Sequence, residues 1–176
     1  QPKAGDWNNI IFKQSSQGVM HFTEVRYADA EKGGAIRLEG SSPTFDQLTI
    51  KHSTWAAISA LPADAPTITN FAAEDNGLNG MEIRGGALTS NATWNQNGIV
   101  YLLTNNLTIG NAATLTIQPG VIVKVLYGCC SFNKYGLTVE GTLTINGTAA
   151  QKIYFTSTLD DAVGGDTNSD GGATQP

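Results

Sequence analysis

Short alternations of branched apolar and polar residues run through this chain, and helical stripes do not. No window of a dozen residues keeps apolar positions at i, i+3, i+4 and i+7, the spacing of an amphipathic helix. Instead Leu-Thr-Ile or Leu-Thr-Val occurs five times, beginning at Leu48, Leu107, Leu115, Leu137 and Leu143. Each copy puts two branched side chains on one face and a Thr on the other, the period-two pattern of a half-buried strand. Val121, Val123 and Val125 alternate with Ile122 and Lys124. Ile153 and Phe155 alternate with Tyr154 and Thr156, and Thr23, Val25 and Tyr27 with Glu24 and Arg26.

These patterns recur at long, regular intervals. Val25, Leu48 and Phe71 stand 23 residues apart, and Ile36, Ile58 and Ile83 stand 22 and 25 apart. In the second half Leu107 recurs as Leu137 and Leu115 as Leu143, at about 30 residues. Turns separate them: Gly33-Gly34, Gly77, Gly85-Gly86, Pro119-Gly120, Gly141 and Gly147. A β-sandwich also has many short strands. Recurrence of one pattern at a fixed coil interval instead predicts a solenoid, with about three short strands per coil stacked in parallel.

The residues also resemble a known group. Leu115-Thr-Ile-Gln-Pro-Gly-Val-Ile-Val-Lys124 is similar to a strand–turn–strand of secreted right-handed parallel β-helix proteins of bacteria and archaea. The stretch Leu137-Thr-Val-Glu-Gly-Thr-Leu143, continuing through Gly147-Thr148 to Ile153-Tyr-Phe-Thr-Ser157, resembles their following coil. Asp160 to Gly171 resembles their acidic, Gly-rich insertion, which commonly runs on into a segment like Gly5-Asp-Trp-Asn-Asn-Ile-Ile-Phe12. Residues Tyr127 to Tyr135 depart from the pattern and read as an insertion. The resemblance implies an all-β, right-handed parallel β-helix, secreted or on the cell surface. It implies a single module over residues 1–176, with an acidic loop at 158–176, cut from a longer or repeating chain. The chain has no initiator Met and stops in a loop-like stretch, and its end would join onto its own beginning.

Composition narrows the function classes. Charged residues are 14% of the 176 and the net charge is −5, with no run of Lys or Arg. That argues against nucleic acid and anionic membranes as partners. The longest apolar runs are too short to cross a bilayer.

The acidic loop holds the best candidate chemistry. Asp166, Asn168 and Asp170 sit at i, i+2 and i+4 before Gly171, the spacing of the first half of a calcium loop. Asp160 and Asp161 stand ready to add oxygens, giving a structural Ca²⁺ site short of its bidentate Glu. The competing reading is a solvated turn, which Asp, Asn and Gly also favour. Cys129 and Cys130 are neighbours on opposite faces of a strand, which disfavours an ordinary bridge between them. Free thiols, a strained vicinal disulfide and cross-links between copies all stay open. Asn91, Asn106 and Asn146 each begin a glycosylation sequon, in a chain where 14 Asn and 30 Ser and Thr make chance matches easy. His21 and His52 flank strands without a nucleophile motif, which favours structural roles.

Three functions remain. The first is an extracellular structural module that stacks on copies of itself, or repeats, into a filament, stalk or surface layer, because open solenoid ends pair with other chains. The second is a glycan-binding, adhesin-like β-helix using Trp7, Trp55, Trp94, Tyr101 and Tyr127. The third is a polysaccharide lyase or hydrolase using Arg26, Arg37, Lys51 or Arg84 beside Glu24, Glu39 and Glu82. Charge pairs across neighbouring coils explain those last residues more simply, so a non-enzyme is expected.

Overall fold

A computed structural model describes residues 1–95, 98–127 and 134–173. Its strands run in the order β1 (Ile10–Phe12), β2 (Val19–Arg26), β3 (Ile36–Leu38), β4 (Thr44–Lys51), β5 (Ala56–Ala60), β6 (Thr67–Thr69), β7 (Ala72–Glu74) and β8 (Leu78–Ile83). The second half adds β9 (Gly86–Leu88), β10 (Ala92–Trp94), β11 (Tyr101–Leu103), β12 (Leu107–Ile109), β13 (Thr114–Ile117), β14 (Ile122–Val125), β15 (Leu137–Val139), β16 (Thr142–Ile145) and β17 (Tyr154–Ser157). No helix occurs among the described residues. The strands pair in parallel, each with its counterpart one coil away, so the fold is an all-β parallel β-helix.

One sheet runs the length of the molecule in the order β1-β3-β5-β8-β11-β14-β17. The wall facing it changes along the axis. The first coils use β2, β4, β6 and β7, and the later ones use two three-stranded sheets, β9-β12-β15 and β10-β13-β16. The later coils thus carry the three short strands expected, while the first ones carry a long strand that bends. The bend is visible in the backbone: Phe22, Gln47 and Asn70 occupy equivalent positions with φ of 49°, 51° and 52°. A second corner stacks Tyr27, His52 and Asp75 at 58°, 56° and 52°. Left-handed residues at one position coil after coil turn the chain at the same place.

Alternation fills the interior. Ile36, Ile58, Met81, Tyr101 and Val123 form one inward column of the long sheet, each at most 3% exposed. Leu88 and Ile109 continue a second column, Trp94 and Ile117 a third, and all four are buried. The coils pack so closely that Gly141 has no room for a side chain. A Cβ there would lie 2.2 Å from the Gly110 carbonyl oxygen and 2.4 Å from that of Ala113.

The registers agree with the recurrences in part. Leu107 pairs with Leu137, Leu115 with Leu143, and Ile36 with Ile58, as the spacing predicts. Val25, however, pairs with Ile50 and not Leu48, and Ile58 pairs with Met81 and not Ile83. Both differences are slips of two residues. Such a slip keeps every side chain on its face, so alternation alone does not detect it. The insertion expected at Tyr127–Tyr135 is framed by an antiparallel bridge between Tyr127 and Lys134.

One carboxylate is buried at a corner. Asp29 is fully enclosed and accepts from the backbone N–H of Gly33 at 2.5 Å through Oδ1. Burial raises its pKa above the usual carboxylate range, and Glu82 adds to this against the backbone N–H groups nearby. A raised folded pKa means the stability is greatest below the unfolded value, about 3.9, and declines as pH rises through the folded one. Asp29→Asn keeps the Oδ1 acceptor without the charge. The melting temperature of the wild type, measured against this variant, is therefore expected to rise as pH falls from 7 to 4. A gain in the opposite direction would mean that the fold favours the ionised Asp29.

Candidate metal centre in an acidic strap

The candidate site begins with a misplaced-looking charge. In Val121-Ile122-Val123-Lys124-Val125, alternation sends Val123 inward and Lys124 outward, yet Lys124 is completely buried. The chain after β17 explains this, because residues 158–173 fold back over the outer face of the long sheet as a strap. The Lys124 ammonium donates to the Asp160 carbonyl at 2.8 Å, the Gly165 carbonyl at 2.7 Å and the Thr167 hydroxyl at 3.1 Å. Three donors meet three acceptors, which offsets the cost of enclosing the charge. Burial still lowers the lysine pKa, opposed by Asp161, Asp160 and Asp166.

The far end of the strap is tied to earlier coils. Asn79 donates its backbone N–H to the Thr167 carbonyl at 2.9 Å, and its amide to the Asp166 carbonyl at 3.2 Å and Ser169 Oγ at 2.8 Å. Ser169 Oγ donates to the Asn76 carbonyl at 2.5 Å. Asn76 is itself buried, accepting from the Ser53 N–H and donating to the Ile50 carbonyl. Between these anchors Gly164 lies against Val100 and Ile122, where a Cβ would meet Val100 Cγ2 at 2.9 Å. Val100 belongs to a second apolar cluster, with Ala56, Leu78 and Leu102, separate from the interior. The strap thus helps an outward apolar face stay out of water.

Within the strap, three of the five expected ligand residues converge. One carboxylate oxygen each from Asp161, Asp166 and Asp170 lies within 4.8 Å of the others. Asp166 accepts from the N–H of Asp170 at 3.2 Å and of Gly171 at 2.9 Å. Asp170 accepts from the N–H groups of Gly172 and Ala173, both at 2.9 Å, and from the Asn168 amide at 2.8 Å. Asn168 therefore supports Asp170 from beside the cluster. Asp160 turns away, its carboxylate accepting from the Thr156 hydroxyl at 2.7 Å and the Ala162 N–H at 3.1 Å. Asp161 differs from all of these. Its two carboxylate oxygens are closed to water and accept no hydrogen bond among the described residues. Its burial raises its pKa, and the charges of Asp166 and Asp170 raise it further, against the pull of Lys124.

The other candidates fall elsewhere. Cys129 and Cys130 lie outside the described residues. Asn91 and Asn106 join coils: Asn91 Oδ1 accepts from Thr114 N–H at 2.9 Å, and Asn106 Oδ1 from Gly136 N–H at 3.0 Å. Asn146 is exposed just past β16. His21 faces Asp46 at 3.3 Å, and His52 stacks on Tyr27 with ring centroids 5.2 Å apart. Lys13 pairs with Glu39 and Lys51 with Glu74 across coils, while Arg26 pairs with Glu24 and Arg37 with Glu39 along a strand. Glu82 accepts from Trp55, Ser59 and Thr104, and Arg84 donates to Ser59 and the Leu38 carbonyl. Trp94 and Tyr101 are buried and stacked on each other, so they offer no surface platform.

Sequence reasoning missed Lys124, Asn76, Asn79 and Thr167 as the anchors of the strap. The available signal was a lone Lys inside an apolar strand. Comparison with protein families, with curated proteins and with solved structures returns no match.

Lys124→Met preserves length and removes the charge. It removes the donor from three oxygens, and leaving the buried Thr167 hydroxyl without it costs about 1–3 kcal/mol. Limited proteolysis of this variant is expected to cut within residues 160–170, while amides of β11 to β13 keep their exchange protection. Wild-type resistance throughout the strap would contradict the anchoring role.

Proposed function

We propose that this chain is a structural module of a secreted or cell-surface protein, one that stacks end to end or repeats into a filament, stalk or surface layer. The observation that carries the reading is the open final coil. Val139, Ile145 and Phe155 are 46%, 41% and 46% exposed. Their register partners one coil back, Ile109, Ile117 and Val123, are fully buried. All three inward columns therefore continue into the last described coil, where they are about half-exposed. The strands that carry them, β15, β16 and β17, each have one side of the backbone unpaired by a neighbouring strand.

Fully burying one such side chain is worth about 1.5–3 kcal/mol, so covering three half-exposed ones gives a real driving force. A further coil, from another copy or another unit, satisfies the edges and the columns together. Contact between unlike ends is heterologous, and it propagates into a filament unless the rotation closes a ring. The motif resemblance supports the extracellular setting.

A second reading, glycan binding, has one observation in its favour. Phe22 is 78% exposed in a left-handed conformation, on a groove of about 380 Å³ lined also by Thr23, Glu24, Gln47, Thr49 and Asn70. An aromatic ring beside amide, hydroxyl and carboxylate groups suits a sugar.

Negative-stain electron microscopy of the chain at rising concentration tests the first reading. Regular fibres are expected for the wild type. Ile145→Lys with Phe155→Lys is expected to give isolated short rods, because charge on an edge blocks pairing. Isolated rods for the wild type at every concentration would overturn stacking. Calorimetric binding of oligosaccharides that is lost in Phe22→Ala would then favour the second reading.

A further inference from the structure

We infer that Asp161, Asp166 and Asp170 bind a hard divalent cation, and that the ion fastens the strap to the side of the solenoid. This site stands independently of stacking. Convergence of acidic side chains would not carry it alone, since Asp166 and Asp170 are held by the turn that contains them. Asp161 carries it. Among the described residues its carboxylate oxygens are closed to water, accept no hydrogen bond and make no ion pair, and they face two further carboxylates. Carboxylate oxygens closed to water in that position lack a cation or donor that the described residues do not supply.

The obvious internal candidate is already committed. Lys124 spends its three protons on two carbonyls and a hydroxyl. It holds the backbone of the strap while leaving the Asp161 oxygens without a donor.

The donor set selects the ion. Three carboxylates and no described Cys or His in the cluster form an all-oxygen site. Oxygens across one Ca²⁺ are up to about 5 Å apart, at about 2.3–2.6 Å from the ion, so ligand atoms within 4.8 Å of one another fit it. Water completes the coordination of about six to eight. Mg²⁺, which holds its ligands at about 2.0–2.1 Å in a stricter octahedron, requires the site to close further.

The ion joins two parts of the strap. Asp161 belongs to the turn just after β17, and Asp166 and Asp170 to the segment fixed on Asn76 and Asn79. Cation binding therefore locks the strap over Val100 and Ile122, with Lys124 as a permanent fastening beside it.

The test uses the chelator-treated 176-residue chain, kept dilute so that stacking does not enter. Calorimetric titration with Ca²⁺, and Tb³⁺ luminescence competed by Ca²⁺ or Mg²⁺, read binding directly. Expected are saturable binding of one ion, tighter for Ca²⁺ than Mg²⁺, and a higher melting temperature in Ca²⁺. Asp161→Asn preserves shape and supplies a donor to Asp166 and Asp170. It is expected to weaken Ca²⁺ binding at least tenfold, yet to melt no lower than the wild type in chelator. That reversal separates a ligand from a merely structural residue, and Asp170→Asn provides a second loss-of-binding variant. No binding of Ca²⁺, Mg²⁺ or Tb³⁺ at millimolar concentration would overturn the site. So would wild-type affinity in Asp161→Asn, or equal destabilisation of that variant with and without Ca²⁺.

Discussion

Everything in this molecule depends on the parallel ladder between coils. A parallel strand pair keeps each residue beside its counterpart, so every coil must present the same face inward as the one before it. That single requirement produces the columns Ile36 to Val123, Leu88 to Ile109 and Trp94 to Ile117. It places the left-handed corners of Phe22, Gln47 and Asn70 above one another. It also makes side-chain bridges such as Asn91 to Thr114 and Lys51 to Glu74 repeat at coil spacing. Each coil is stabilised by its neighbours and has little interior of its own, as in other solenoids.

The same constraint creates two apolar surfaces, and the described residues cover one of them. Outward apolar residues such as Val100 and Leu102 would face water on the flat side of the long sheet. The strap covers this side and brings Lys124 under cover, with that lysine's charge satisfied by the strap's own oxygens. Among the described residues nothing corresponding covers the last coil. Its column residues Val139, Ile145 and Phe155 remain open beside unpaired strand edges. The lateral face is thus covered by the strap, while the edge of the last described coil is open, and it is on this edge that the proposed stacking rests.

Much of this was legible in the sequence, for physical reasons. Period-two alternation reports which face a residue takes, and recurrence reports the coil, so Leu107 with Leu137 and Leu115 with Leu143 were placed in register. Register modulo two residues was not legible, as Val25 with Ile50 shows, because a slip of two leaves the pattern unchanged. The acidic spacing located Asp166 and Asp170 together with Asp161, but local spacing does not tell which way a carboxylate turns. Asp160 and Asp161 are adjacent, yet one is satisfied by Thr156 and Ala162 and the other by nothing among the described residues. The anchors were least legible. Asn79 and Ser169 are 90 residues apart, and only the return of the strap across the coils brings them together.

Hydrogen exchange of individual amides, measured at low and high protein concentration, tests the central claim most directly. If inter-coil ladders and continuing columns govern the molecule, β8 and β11 exchange slowest in the dilute chain and β15, β16 and β17 fastest. Raising the concentration then protects the final coil selectively, as an added coil covers its edges. Equal protection of every coil in the dilute chain, or a final coil indifferent to concentration, would contradict the account.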